Sequence, residues 1–227
     1  MLMRTWRPAP PQVGGREPGH LLPVAWRPPA ALLMAVCAGV TAVIGGQVSH
    51  RSRPGWLDAA VDARTRASLG GHPHLLDLLA RLGDPVPLTL MVAALALACL
   101  AARRWRGAVL VAVAVPAAAV LTELVLKPVI GRTLEGAPSF PSGHATGMFA
   151  LAASLAVLLA RLRLPTAARI LIAAGAFLAA TGTAAAMVGL GVHYFTDTVG
   201  GAAVGTGVVL AVTLLLDLAA GPRPRRR

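Results

Sequence analysis

The chain has 227 residues, of which 56% are apolar and only 13% charged, with a mean hydropathy of +0.69. This exceeds the apolar share of an ordinary soluble domain and excludes a disordered, collagen-like or disulfide-stapled chain. The net charge of +12 comes from basic residues dispersed between long apolar stretches, with aromatics at 4%, so membrane topology explains it and nucleic acid is not an expected partner.

Residues 1–28 read as a flexible cytoplasmic tail, because the first 29 residues hold seven prolines and no apolar signal-peptide core. A hydrocarbon layer about 30 Å thick takes about 20 apolar residues per helix. Six stretches avoid charge over nearly that length: 28–50, 85–102, 107–126 with Glu123 inside it, 144–160, 170–190 and 198–216. Cys37 and Cys99 fall within such runs, without metal-ligand spacing, and read as buried residues. Between the first two stretches, 56–69 has the pattern of a short amphipathic helix. Trp56, Leu57, Ala60 and Val61 lie along one side, and Asp62 and Arg66 form an i, i+4 pair. Residues 75–82 repeat the pattern, and both segments are expected on the outer membrane surface or over a site as a lid.

Orientation follows from the connecting segments. Arginines of the N-terminal segment, of 103–106, of 161–169 and of 223–227 fall on one side. On the other, Arg51, Arg53, Arg64, Arg66 and Arg81 are offset by Asp58, Asp62, Asp77 and Asp84. Both termini are therefore expected in the cytoplasm. The expected fold is all-α: a six-transmembrane-helix bundle over residues 29–218 of a cytoplasmic (inner) membrane protein, followed by a basic tail, 219–227, suited to anionic lipid.

The polar residues left in this apolar chain cluster at the outward ends of the last four stretches. Lys127, the only lysine among 21 basic residues, is followed by Arg132. Glu123, one turn earlier in an expected span, is costly unless paired and reads as the partner of Lys127. Pro141-Ser-Gly-His144 opens the fourth stretch. Ser142 suits an N-cap, the free amides of the first turn suit an anion, Gly143 permits close approach, and His144 sits where an imidazole exchanges protons. Taken alone, the segment reads equally as a capped helix with an interfacial histidine. His193 and Asp197 are four residues apart and share a helix face, so the carboxylate either orients the imidazole or caps the sixth helix. His72 and His74 read as solvated loop residues, and Gly200, Gly201, Gly205 and Gly207 as helix-packing positions. Positive charge, backbone donors and two histidines at one end of a bundle suit phosphoryl transfer, and no metal or cofactor ligand set accompanies them.

These motifs in this order resemble the type 2 phosphatidic acid phosphatase (PAP2) superfamily. The second motif is intact as Pro141-Ser-Gly-His144 after Ser139-Phe140. The latter half of the third is intact as Gly191-Val-His193-Tyr194 with Asp197. The resemblance implies His193 as the nucleophile that forms a phosphohistidine, Asp197 as its orienting partner and His144 as the acid for the leaving alkoxide. It also implies Lys127, Ser142 and Gly143 as phosphate-binding residues. Two arginines of the family pattern are replaced: its Arg-Pro in the first motif is Leu134-Glu135 here, and its Ser-Arg at the start of the third is Ala186-Met187; Arg132 is the candidate substitute phosphate ligand. The expected function is a metal-independent membrane phosphatase acting at the extracytoplasmic face on a lipid mono- or diphosphate, of the isoprenoid diphosphate, phosphatidate or phosphatidylglycerol phosphate class. The alternative is a weak or inactive lipid-phosphate binder or carrier of the same fold. If Met187 marks a vacated arginine position, Met187→Arg is expected to raise turnover.

Overall fold

A computed structural model describes residues 19–221. A 3-10 turn, Val24–Trp26, leads into α1 (Arg27–Val48), followed by two short helices, α2 (Trp56–Leu69) and α3 (Pro73–Arg81). Next come α4 (Pro85–Ala101) and α5 (Trp105–Val120); α5 continues through a π-helical turn, Leu121–Leu126, into α6 (Lys127–Ile130). A two-residue antiparallel hairpin, β1 (Thr133–Leu134) with β2 (Ala137–Pro138), pairs Thr133 with Pro138. The chain ends with α7 (Gly143–Leu159), α8 (Thr166–Gly189) and α9 (Phe195–Ala219). Prolines begin α3 and α4, where the missing N–H has no partner to lose, and Gly131 at φ 62° stops α6.

All six apolar stretches are helical. Four helices are long and apolar enough to cross a membrane: Val24–Val48, Trp105–Ile130, Thr166–Gly189 and Phe195–Ala219. α3 and α4, bent by 50° at their junction, make a fifth if taken as one broken span, and α7 is apolar but only 17 residues long. Among the described residues the count by length and composition is thus four or five, against the six expected, because the second and fourth stretches are shorter than the bilayer core requires.

α7 and α9 run parallel, starting at the same end of the bundle, and their backbones touch. A Cβ on Gly205 would lie 2.3 Å from the Thr146 carbonyl oxygen, and one on Gly201 2.5 Å from that of Ser142. Small residues let apolar helices approach this closely. α5 closes the core with Leu110, Ala114 and Ala118, packed against Ala150 of α7 and Val209 of α9.

One expectation changes. Residues 19–26, read as part of a flexible tail, are docked: the Leu21 and Leu22 amides donate to the Asp217 carboxylate at 2.5 and 3.0 Å, and both leucines are buried. Residues 1–18 and the Arg223–Arg227 run lie outside the described residues. α2 spans Trp56–Leu69 as expected, with its acids turned into the bundle and its apolar side outward: Asp58 and Asp62 are 1% and 3% exposed while Trp56 is 84% exposed. Backbone amides at the start of α9 and a buried guanidinium hold those carboxylates.

The close approach of α7 and α9 makes Gly205→Ala destabilising by about 1–3 kcal/mol through overpacking. Gly46→Ala, where nothing lies within 4 Å, is the neutral control, with both read as thermal midpoints in detergent.

Candidate active site

The site forms where α7 and α9 begin. Ser142, fully buried, caps α7: its Oγ accepts the Ala145 amide at 3.4 Å. The Ser142 amide donates to the Asp197 carbonyl oxygen at 2.9 Å, which ties the His144 segment to the His193 segment through the backbone. Lys127, at the end of the π-helical turn, pairs with Glu123 at 2.8 Å as expected from their spacing. A Cβ on Gly143 would lie 2.7 Å from Glu123 Oε1, so this ion pair stands directly beside the first turn of α7. Lys127, Ser142, Gly143 and His144 are therefore brought to one place.

The second half of the site is a buried charge cluster. Asp197 is inaccessible to solvent; its Oδ2 accepts the Tyr194 amide at 3.0 Å and lies 3.5 Å from His193 Nδ1, an ion-pair distance longer than a good hydrogen bond. Its Oδ1 receives Arg132 at 2.6 Å. Arg132 donates also to Thr196 Oγ1 at 2.7 Å and to Asp58 Oδ2 at 2.5 Å, and its guanidinium stands 4.1 Å from the Tyr194 ring centroid. Arg132, expected from sequence at a phosphate, thus has a side chain with 0% exposure and both terminal nitrogens committed to protein groups. The reason is the company it keeps. Two carboxylates within bonding distance solvate a guanidinium that the fold has removed from water.

Asp58 and Asp62 were read from sequence only as charges offsetting arginines, and the structure gives them a direct role. Asp58 Oδ1 accepts the Thr196 amide at 2.9 Å and Asp62 Oδ1 the Phe195 amide at 3.1 Å, so α2 satisfies free N–H groups at the start of α9. Burial pushes the Asp58 carboxyl upward, but the hydrogen bonds from Arg132 and Thr196 and the Arg132 charge outweigh it and hold it below the usual 3.8. For Asp62 burial wins over the Phe195 amide, and its carboxyl is raised. The signal available in the sequence was the four-residue spacing of Asp58 and Asp62, which puts two acids on one face of a short helix.

The replaced family arginines have clear structural counterparts. Leu134 lies in the hairpin, and Glu135, at φ 51°, with Gly136, at φ 84°, forms its exposed two-residue turn. Met187 is 4% exposed and packs with Leu76 and Ala80 of α3, while its carbonyl oxygen accepts the Val192 and His193 amides at 3.1 and 3.3 Å. α3 therefore fills the place beside Met187. Of the outer-loop arginines, Arg51 and Arg53 are exposed, and Arg81 is paired with Asp77 at 2.8 Å on the surface.

Two outcomes follow. Asp58→Asn leaves a buried guanidinium one carboxylate short and should cost about 3–5 kcal/mol. Asp62→Asn removes a charge disfavoured by burial yet keeps an acceptor for Phe195, and should stay within about 1 kcal/mol; thermal unfolding in detergent compares the two. The Asp58 contribution is complete above pH 3.8 and is lost only as pH falls through its lower folded-state value. For Met187→Arg, packing against Leu76 and Ala80 adds a cost not visible in the sequence: a lowered thermal midpoint, read in the same assay.

Comparison with the sequences of curated proteins gives no match. Among solved structures, the fold is similar to the crystal structure of the first transmembrane PAP2 type phosphatidylglycerolphosphate phosphatase from Bacillus subtilis, with a TM-score of 0.63 and 19% identity, over 87% of this chain and 98% of that one. The family model for the PAP2 superfamily matches residues 28–219, nearly the whole described bundle, with both histidines inside it. On that match, the chain is a membrane protein of the PAP2 superfamily.

Proposed function

We propose that the protein is a lipid-phosphate phosphatase that hydrolyses a lipid mono- or diphosphate through a phosphohistidine at the extracytoplasmic face, within a six-span bundle whose termini are cytoplasmic. The observation that carries this reading is the backbone tie between Ser142 and Asp197, which sets the capped start of α7 beside the His193–Asp197 pair. Lys127 and the first-turn amides at Ser142 and Gly143 supply charge and donors for the phosphate oxygens. His193, its Nδ1 facing Asp197, attacks phosphorus with Nε2. The bond from phosphorus to the lipid oxygen breaks, and His144 gives that oxygen a proton. Water then attacks the phosphohistidine, gives a proton to His144, and inorganic phosphate leaves with His193 restored. The carboxylates of Asp197, Asp58 and Asp62 offset the positive ring of the phosphorylated intermediate. Arg132, buried among them, acts as a positioning residue and not as a phosphate ligand.

Apolar helices around a polar end favour substrates whose tail stays in hydrocarbon. The phosphatidylglycerolphosphate named for the Bacillus subtilis protein is the first member of the panel to test, with phosphatidate and isoprenoid diphosphates beside it. A second reading, a binder or carrier with little turnover, draws support from the two replaced arginines and from the burial of Arg132.

Purified protein is expected to release phosphate from at least one lipid of the panel with a chelator present, and His193→Ala to abolish release. Binding of the lipids without release in the unmodified protein would establish the binder.

A further inference from the structure

The sharp junction between α3 and α4 has a side-chain arrangement that the motifs do not account for. Asp84 is the N-cap of α4, a position from which an aspartate ordinarily turns back onto the amides of the first turn. Here it makes no such bond. Pro85 and Pro87 occupy the first and third helical positions and remove two of the three amides that would compete for the carboxylate. Its Oδ1 lies instead 3.0 Å from His144 Nε2, across 60 residues of sequence. The neighbouring Gly83 makes the approach possible: a Cβ there would stand 2.9 Å from His144 Cδ2 and 3.0 Å from Thr183 Cγ2. Thr183 also fixes the end of α3, donating to the Leu79 carbonyl oxygen at 2.8 Å.

Resting on the reading of His144 as the acid, we propose that Asp84 is a positioning residue for that proton transfer. The carboxylate accepts the hydrogen of Nε2, holds the ring in one orientation, and leaves Nδ1 as the nitrogen that hands its proton to the departing lipid oxygen. The α3–α4 junction thereby belongs to the reaction, as α2 belongs to it through Asp58 and Arg132.

The test uses leaving-group dependence in the full-length protein. An alkyl phosphate lipid expels a strongly basic oxygen and needs the acid, whereas p-nitrophenyl phosphate expels a weakly basic one and needs it far less. His144→Ala should lower kcat/KM, which reads only the steps through departure of the leaving oxygen and not the shared hydrolysis of the phosphohistidine, on the alkyl substrate by about 100-fold more than on the aryl one, and Asp84→Asn by about 10-fold more. Asp84→Glu should recover part of that difference, and the double variant should be no more selective than His144→Ala alone. Turnover of the aryl substrate certifies that each variant is folded. If His144→Ala is selective and Asp84→Asn slows both substrates alike, or neither, the positioning role of Asp84 is overturned while the acid survives. A non-selective His144→Ala overturns both the acid and its partner, and no turnover by the unmodified protein overturns the phosphatase reading itself.

Discussion

A single buried guanidinium holds this architecture together. Arg132 reaches Asp58 on α2, Asp197 and Thr196 on α9, and the face of Tyr194, so two segments lying 62 to 74 residues from it, one on each side in sequence, converge on one planar cation. A charge removed from water requires partners with good geometry, and those partners here are the carboxylate that faces His193 and the carboxylate that docks α2. Any movement of α2 is therefore felt at Asp197, and through it at His193.

Around that ion cluster the bundle is assembled by small residues. Gly201 and Gly205 allow α9 to lie directly on α7, which aligns the first turns of the two helices and brings Ser142 to the Asp197 carbonyl. The consequence is a division of labour. Close helix packing sets the spacing of the two histidine-bearing turns, while α2 and the α3–α4 junction contact their side chains, Asp58 at Arg132 on one half and Asp84 at His144 on the other.

The same segment accounts for the departures from the family pattern. Leu76 and Ala80 of α3 occupy the space beside Met187, so an apolar residue suits a position that the family motif gives to arginine. With Leu134 and Glu135 in a hairpin and Arg132 sequestered, the cation that the described residues place beside the first turn of α7 is Lys127, itself paired with Glu123. In the proposed reaction, a phosphate group entering there would meet one lysine and the helix amides in place of a set of arginines, and would exchange places with a resident carboxylate.

Helix positions, the α2 boundaries, the Lys127–Glu123 pair and the Ser142 cap were legible in the sequence, because each rests on interactions within about four residues or on a run of apolar side chains. The motifs also marked His144, His193 and Asp197 by type and spacing. The burial of Arg132, the inward face of α2 and the Asp84–His144 contact were decided by tertiary structure alone. Each of those depends on which distant carboxylate meets a charge or a free amide once the helices pack, and no periodicity along the chain encodes a pairing between residues 60 or more positions apart.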